Sequence, residues 1–188
     1  TQVMANSLGI HLYSHGFDYV VLEGTAKRYS VSDSGSVCFS AADVKDVKNV
    51  AKRIAETSKG FKGNQICLSL SSSAVLNREL GLPFNNRDKV AQVIKFEIES
   101  ELYHLNVDDV IVDFFELDDG RATSTMSVNA LDKSRLATAL EICEAASFDP
   151  PIVDLSIASL FNAIKVLPEN SRTDHEAYLH VGAESSQL

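Results

Sequence analysis

No stretch of this chain approaches the roughly 18 uninterrupted apolar residues that a membrane-spanning helix needs. No basic segment followed by an apolar run opens it, so we expect no export signal. Basic charge is scarce: 17 lysines and arginines stand against 26 aspartates and glutamates, a net charge of −9. A surface of that sign repels nucleic acid and anionic lipid on average. The densest basic group, Lys45, Lys48, Lys52 and Arg53, is interleaved with acids at helical spacing and reads as a solvated helix face. Cysteine is scarce too. Cys38, Cys67 and Cys143 lie far apart and form no Cys-x-x-Cys pair, which speaks against a metal or redox site. We expect them to be buried, reduced thiols of a cytoplasmic protein.

What is present suits one to two globular units with cores, since 45% of residues are hydrophobic and 23% charged. Ser7–Leu12 and Asp18–Glu23 read as strands with a turn at residues 13–16, and Gly24 should break the second. Lys27–Ser40 should hold one or two more strands, turning at Asp33-Ser34-Gly35-Ser36. Ser40 and Asp43 have capping-box spacing, and Val44, Val47, Ala51, Ile54 and Ala55 form the stripe of a first helix. A strand over Gln65–Ser71, a Ser71-Ser72-Ser73 turn and a returning strand over Ala74–Leu80 follow. Val90, Val93, Ile94, Ile98 and Leu102 mark a second helix from Arg87, capped by Asn85 or Asn86. Asp109–Leu117 and Thr123–Ala130 read as a hairpin around Asp119-Gly120. A third helix over 132–146 should turn Leu136, Ala139, Leu140 and Cys143 inward. After Pro150-Pro151 come a short strand at 152–154, a helix over 155–167 apolar on most sides and therefore expected to be buried, and a strand over 177–181 running into Gly182. That last strand needs a pairing partner, which predicts a second half beyond it.

This order of elements resembles the PilM proteins and their relatives GspL and the cell-division protein FtsA. The resemblance rests on Gly81-Leu82-Pro83-Phe84 with the helix from Lys89 to Glu99, on Val107–Phe114, on Phe148–Asp154, and on Tyr178–Glu184. It implies an α/β, actin-like (ribonuclease H-like) fold with a small inserted α-β-β-α subdomain. Residues 1–80 with 151–170 would form the first large subdomain, 81–150 the insertion, and 175–188 the start of a second large subdomain.

The family binds ATP between its halves through two strand-Asp-x-Gly phosphate loops. The aspartates hold magnesium and its waters, and the glycine lets backbone N–H groups reach phosphate. The resemblance places His11, Tyr13 and Ser14 in the first loop and His180 and Gly182 in the second. Here His11 and His180 replace both aspartates, and Tyr13 replaces the first glycine. Imidazole is a poor magnesium ligand, and Tyr13 adds bulk where phosphate must approach. We therefore expect degenerate nucleotide loops, no resident cofactor and no ATPase activity, although relatives use ATP and magnesium.

Other constellations are weaker. His11 and His15, joined by His180, could make a three-histidine metal site, but surface or pocket-lining histidines are the simpler reading. Glu97, Glu99, Glu101, Asp108 and Asp109 read as a solvated face rather than a catalytic carboxylate pair. Ser71-Ser72-Ser73 lacks a nucleophile elbow. The inserted hairpin exposes a sheet edge, and edges invite partner strands. The expectation is a cytoplasmic scaffold of a type IV pilus or type II secretion platform. It would sit peripheral to the inner membrane and hold a short cytoplasmic peptide of a membrane-anchored assembly protein, among other platform proteins. The alternative is an ATP-binding, polymerising protein of the FtsA type.

Overall fold

Leu8 and Ile10 are buried, while Ser7, Gly9 and His11 between them face the other side of strand β1 (Ser7–Tyr13). That period of two makes one face of a sheet the core. The computed structural model describes residues 6–25, 28–40, 43, 46–63, 65–84, 86–103, 105–117, 124–166, 177–181 and 186–187. They divide into two units, one over Thr1–Ser72 with Ala139–Leu188 and one over Ser73–Thr138.

In the first unit, β1 lies at the centre of a five-stranded sheet. Its neighbours are β2 (Gly16–Thr25), antiparallel, and β4 (Gln65–Leu70), parallel. β3 (Arg28–Cys38) pairs antiparallel outside β2, and β8 (Ile152–Leu155) parallel outside β4, giving the order β3-β2-β1-β4-β8. Phe17, Ile66, Leu68 and Leu70 extend the buried face. Helix α1 (Val47–Thr57) turns Val50, Ala51 and Ile54 inward.

Two local expectations fail here. The Asp33–Ser36 turn does not form, because β3 runs unbroken and Tyr19 pairs with Gly35. A Cβ on Gly35 would lie 2.8 Å from the Tyr19 ring, so the ring covers the glycine and holds the segment in the sheet. Gly24 does not end β2 either. It sits inside the strand at φ +136°, where a Cβ would fall 2.2 Å from the Arg28 carbonyl oxygen, so only glycine fits.

The cap of α1 is Asp46, not Ser40. Asp46 Oδ1 accepts from the N–H groups of Lys48 at 3.0 Å and Asn49 at 3.4 Å. Ahead of the helix, Ser40 Oγ accepts from the Asp43 N–H at 3.3 Å and donates to Asp43 Oδ2 at 2.6 Å, but these bonds do not cap α1. Val44 and Lys45 lie outside the described residues.

Helix α4 (Ser156–Lys165) follows β8 directly. It buries none of its residues and leaves Phe161 exposed, contrary to the expectation of a helix covered on several sides. Its first turn is capped from a distance, since the Ile157 N–H donates to Ser72 Oγ at 3.0 Å. Cys38 is exposed at the end of β3, Cys67 half-buried and Cys143 buried, so the expected burial fails for Cys38. β9 (His180–Val181) pairs antiparallel with β10 (Ser186–Gln187).

The second unit is a three-stranded antiparallel sheet in the order β5-β7-β6. β6 (Val110–Leu117) and β7 (Ser124–Asp132) form the expected hairpin, whose connection lies outside the described residues. β5 (Val75–Leu82) was expected in the large subdomain, but it pairs with β7 along its whole length. The unit therefore opens at residue 73, and its other boundary falls within α3 (Lys133–Ala145). Helix α2 (Arg87–Glu99) is capped by Asn86 and packs Val90, Ile94 and Ile98 on Leu82, Val110, Met126 and Val128. Asp132 Oδ1 accepts from the Ser134 N–H at 2.7 Å at the start of α3, where Ala139 and Cys143 are buried but Leu140 is exposed. Among the described residues no helix is long and apolar enough to cross a membrane.

The fully buried Ile98 and the 74% exposed Phe96 share α2 and provide a contrast. Ile98→Ala should cost about 2–5 kcal/mol of unfolding free energy, and Phe96→Ala within about 0.5 kcal/mol. Urea denaturation of the two variants beside the parent chain checks this.

Candidate functional site

The face of the first sheet opposite its core carries a polar row. His11 stands opposite Asp18 on β2 and Ser69 on β4, and Ser69 stands opposite Asp154 on β8. Directly paired residues share a face, so four strands place Asp18, His11, Ser69 and Asp154 side by side. One register step away the residues are Val20, Gly9, Cys67 and Ile152. Gly9, Cys67 and Ser69 are small, and a hollow of about 410 Å³ opens above them. Its walls include His11, Asp18, Val20, Leu160 and His180, with Ser156 and Ser159 from α4.

Next to the hollow, the turn end of the β1–β2 hairpin is crowded. The His11 and Tyr13 rings lie 5.6 Å apart between centroids. His11 Nδ1 is 3.7 Å from Asp18 Oδ2, and the Tyr13 hydroxyl donates to Asp18 Oδ1 at 3.5 Å. One carboxylate oxygen thus lies by the His11 ring and the other accepts from Tyr13. His11 Nε2 is buried and has no hydrogen-bond partner among the described residues. The ladder continues to Tyr13↔Gly16, so backbone pairing reaches the two-residue turn at Ser14-His15. Ser14 Oγ and His15 Nδ1 are 2.6 Å apart in that exposed turn.

Burial first, then the Asp18 charge and Cys38, push the Tyr13 phenol up from its ordinary 10 to about 12. The ring is thus neutral at any physiological pH. Burial, and then the Asp154 charge, also push the Cys67 thiol up, which keeps it protonated and unreactive. On the α4 side, Ser72 Oγ and Ser156 Oγ are 2.9 Å apart, and Ser159 Oγ donates to Ser69 Oγ at 3.5 Å. Ser72 therefore fastens the start of α4.

His11 and His180 both line the hollow, whereas Tyr13, Ser14 and His15 are not among its lining residues, and Gly182 lies outside the described residues. Among the described residues no group of three His, Cys, Asp or Glu side chains is placed to hold a metal ion. Glu97, Glu99, Asp108 and Asp109 are exposed, and Glu101 is paired with Arg78 at 3.2 Å. Asp18, Cys67, Ser69, Ser156 and Ser159 escaped the sequence reading. Only the register and the return of the chain at β8 put them together.

A phenol held neutral adds stability below pH 10 that is lost as the pH rises through about 12. In an absorbance titration, the tyrosine component missing from Tyr13→Phe should have its midpoint near 12. Asp18→Asn should move that midpoint down. A Tyr13 midpoint at the ordinary value would refute the geometry.

No family model matches this chain, and no curated protein matches it. Solved structures do. A chain of the PilM–PilN type IV pilus biogenesis complex aligns at a TM-score of 0.71 and 19% identity, over 87% of this chain and 51% of that one. The cytoplasmic domain of EpsL, an inner-membrane component of the type II secretion system of Vibrio cholerae, aligns at 0.59 and 19%, over 80% and 57%. This chain thus spans little more than half the length of either. The α/β fold is the actin-like one of the PilM and EpsL structures.

Proposed function

We propose that this chain is part of a cytoplasmic, non-catalytic adaptor of a type IV pilus or type II secretion platform, recruited to the inner membrane by a short peptide of a membrane-anchored partner. The observation that carries the non-catalytic half is the mutual contact of His11, Tyr13 and Asp18 on the β1–β2 hairpin. Magnesium-bound phosphate needs free carboxylate oxygens and an open backbone approach. Here the His11 imidazole and Tyr13 phenol rings lie side by side, and both contact the Asp18 carboxylate. The sequence at His180 makes the same substitution in the second loop.

The adaptor half is supported by the fold, which this chain has in common with a chain of the PilM–PilN complex and with an inner-membrane secretion component. An adaptor needs binding surface, not turnover, and loss of loop aspartates costs it nothing.

A labelled synthetic peptide, copied from the cytoplasmic terminus of the membrane protein encoded beside this chain, tests the reading by fluorescence anisotropy. We expect saturable micromolar binding that a scrambled peptide does not compete away. No binding up to high micromolar concentration would overturn the adaptor reading.

A further inference from the structure

Among the described residues, β3 and β8 end the five-stranded sheet, and β5 and β6 end the three-stranded one. A free edge offers unpaired N–H and C=O groups to any passing strand. These edges are also apolar: Val31 on β3 is 60% exposed, Phe115 on β6 52% and Ile152 on β8 57%. β3 is the longest at 11 residues, and Arg28 and Asp33 are its only charges.

Each edge carries a side chain folded back onto its own backbone. The Ser34 N–H donates to Asp33 Oδ1 at 2.9 Å on β3. The Phe114 N–H donates to Asp113 Oδ1 at 2.9 Å on β6. The Leu155 N–H donates to Asp154 Oδ1 at 2.8 Å on β8. On β5, Arg78 Nη1 donates to the Asn77 carbonyl oxygen at 2.8 Å.

On β3 and β8 these backbone groups point away from the sheet. A two-residue hairpin turn makes Tyr13↔Gly16 a hydrogen-bonded pair, and such pairs alternate. Even residues of β2 thus bond to β1 and odd ones to β3, so Asp33 and Gly35 face inward, and Ser34 outward. The Phe39 N–H, which donates to the His15 carbonyl at 2.7 Å, keeps the same parity. The same alternation carried through β1 and β4 turns the Leu155 N–H outward.

We propose that Asp33, Asp113, Asp154 and Arg78 are edge guards, and that the β3 edge freed of Asp33 takes a second copy of this chain by antiparallel β3–β3 pairing. Such pairing is self-complementary about a two-fold axis. On β3 and β8 the guards act by occupying the outward N–H that an incoming strand must use, and the exposed apolar neighbours show why a guard is needed.

Asp33→Ala and Asp33→Asn are compared with the parent by analytical ultracentrifugation at matched concentrations. Asparagine keeps an acceptor for the Ser34 N–H and loses the charge; alanine loses both. We expect Asp33→Ala to double the weight-average mass relative to the parent and Asp33→Asn to match the parent. The double variant Asp33→Ala, Ser34→Pro, whose proline has no N–H to offer, should return to the parent mass. Three results would each overturn the proposal: an Asp33→Ala mass equal to the parent's, an Asn variant that associates like the Ala variant, or association that persists in the double variant.

Discussion

Everything near the hollow depends on the register of β1 with its two neighbours. β1 is paired on both sides, antiparallel to β2 and parallel to β4. A slip of one residue would exchange Leu8 and Ile10 for Gly9 and His11 on the core face. Burial of those two side chains, with Leu68 beside them, therefore fixes where His11 points. Once the register is fixed, Asp18 and Ser69 are placed opposite His11 without further choice.

The same register explains why side chains crowd the hairpin end. Tyr13 is directed to the face that bears His11 and Asp18, and its hydroxyl finds the carboxylate there. Gly16, the one glycine in the turn region, has a different duty, because a Cβ there would lie 2.1 Å from the Val37 carbonyl oxygen. It allows β3 to pass close by.

The legible parts of the fold were those written locally. Helix α2 could be read from its 3.6-residue stripe, Val90, Ile94, Ile98, and from Asn86 ahead of it. The hairpin of β6 and β7 announced itself through alternation around Asp119-Gly120. Strand β5 was recognisable as a strand, but alternation does not say which sheet a strand joins. Its pairing with β7 is a long-range fact. The turn read at Asp33–Ser36 failed for a similar reason: turn-forming residues were held extended by Tyr19, fourteen positions away from Asp33. Of the hollow, His11 and His180 could be picked out through the family resemblance. Asp18, Cys67, Ser69 and Ser159 could not, because they meet only through the pairing of three strands and the packing of α4.

The edges add a second kind of constraint. A sheet this apolar at its margins is soluble only if its strands are kept from finding partners. Four short side chain–backbone bonds do this at no cost to the core.

The most direct test of the central claim is hydrogen–deuterium exchange of residues 7–25 in the intact chain, with and without millimolar Mg-ATP. We predict identical exchange in the β1–β2 hairpin, because His11 and Tyr13 already contact the Asp18 carboxylate there. Protection of that hairpin by the nucleotide would contradict the reading.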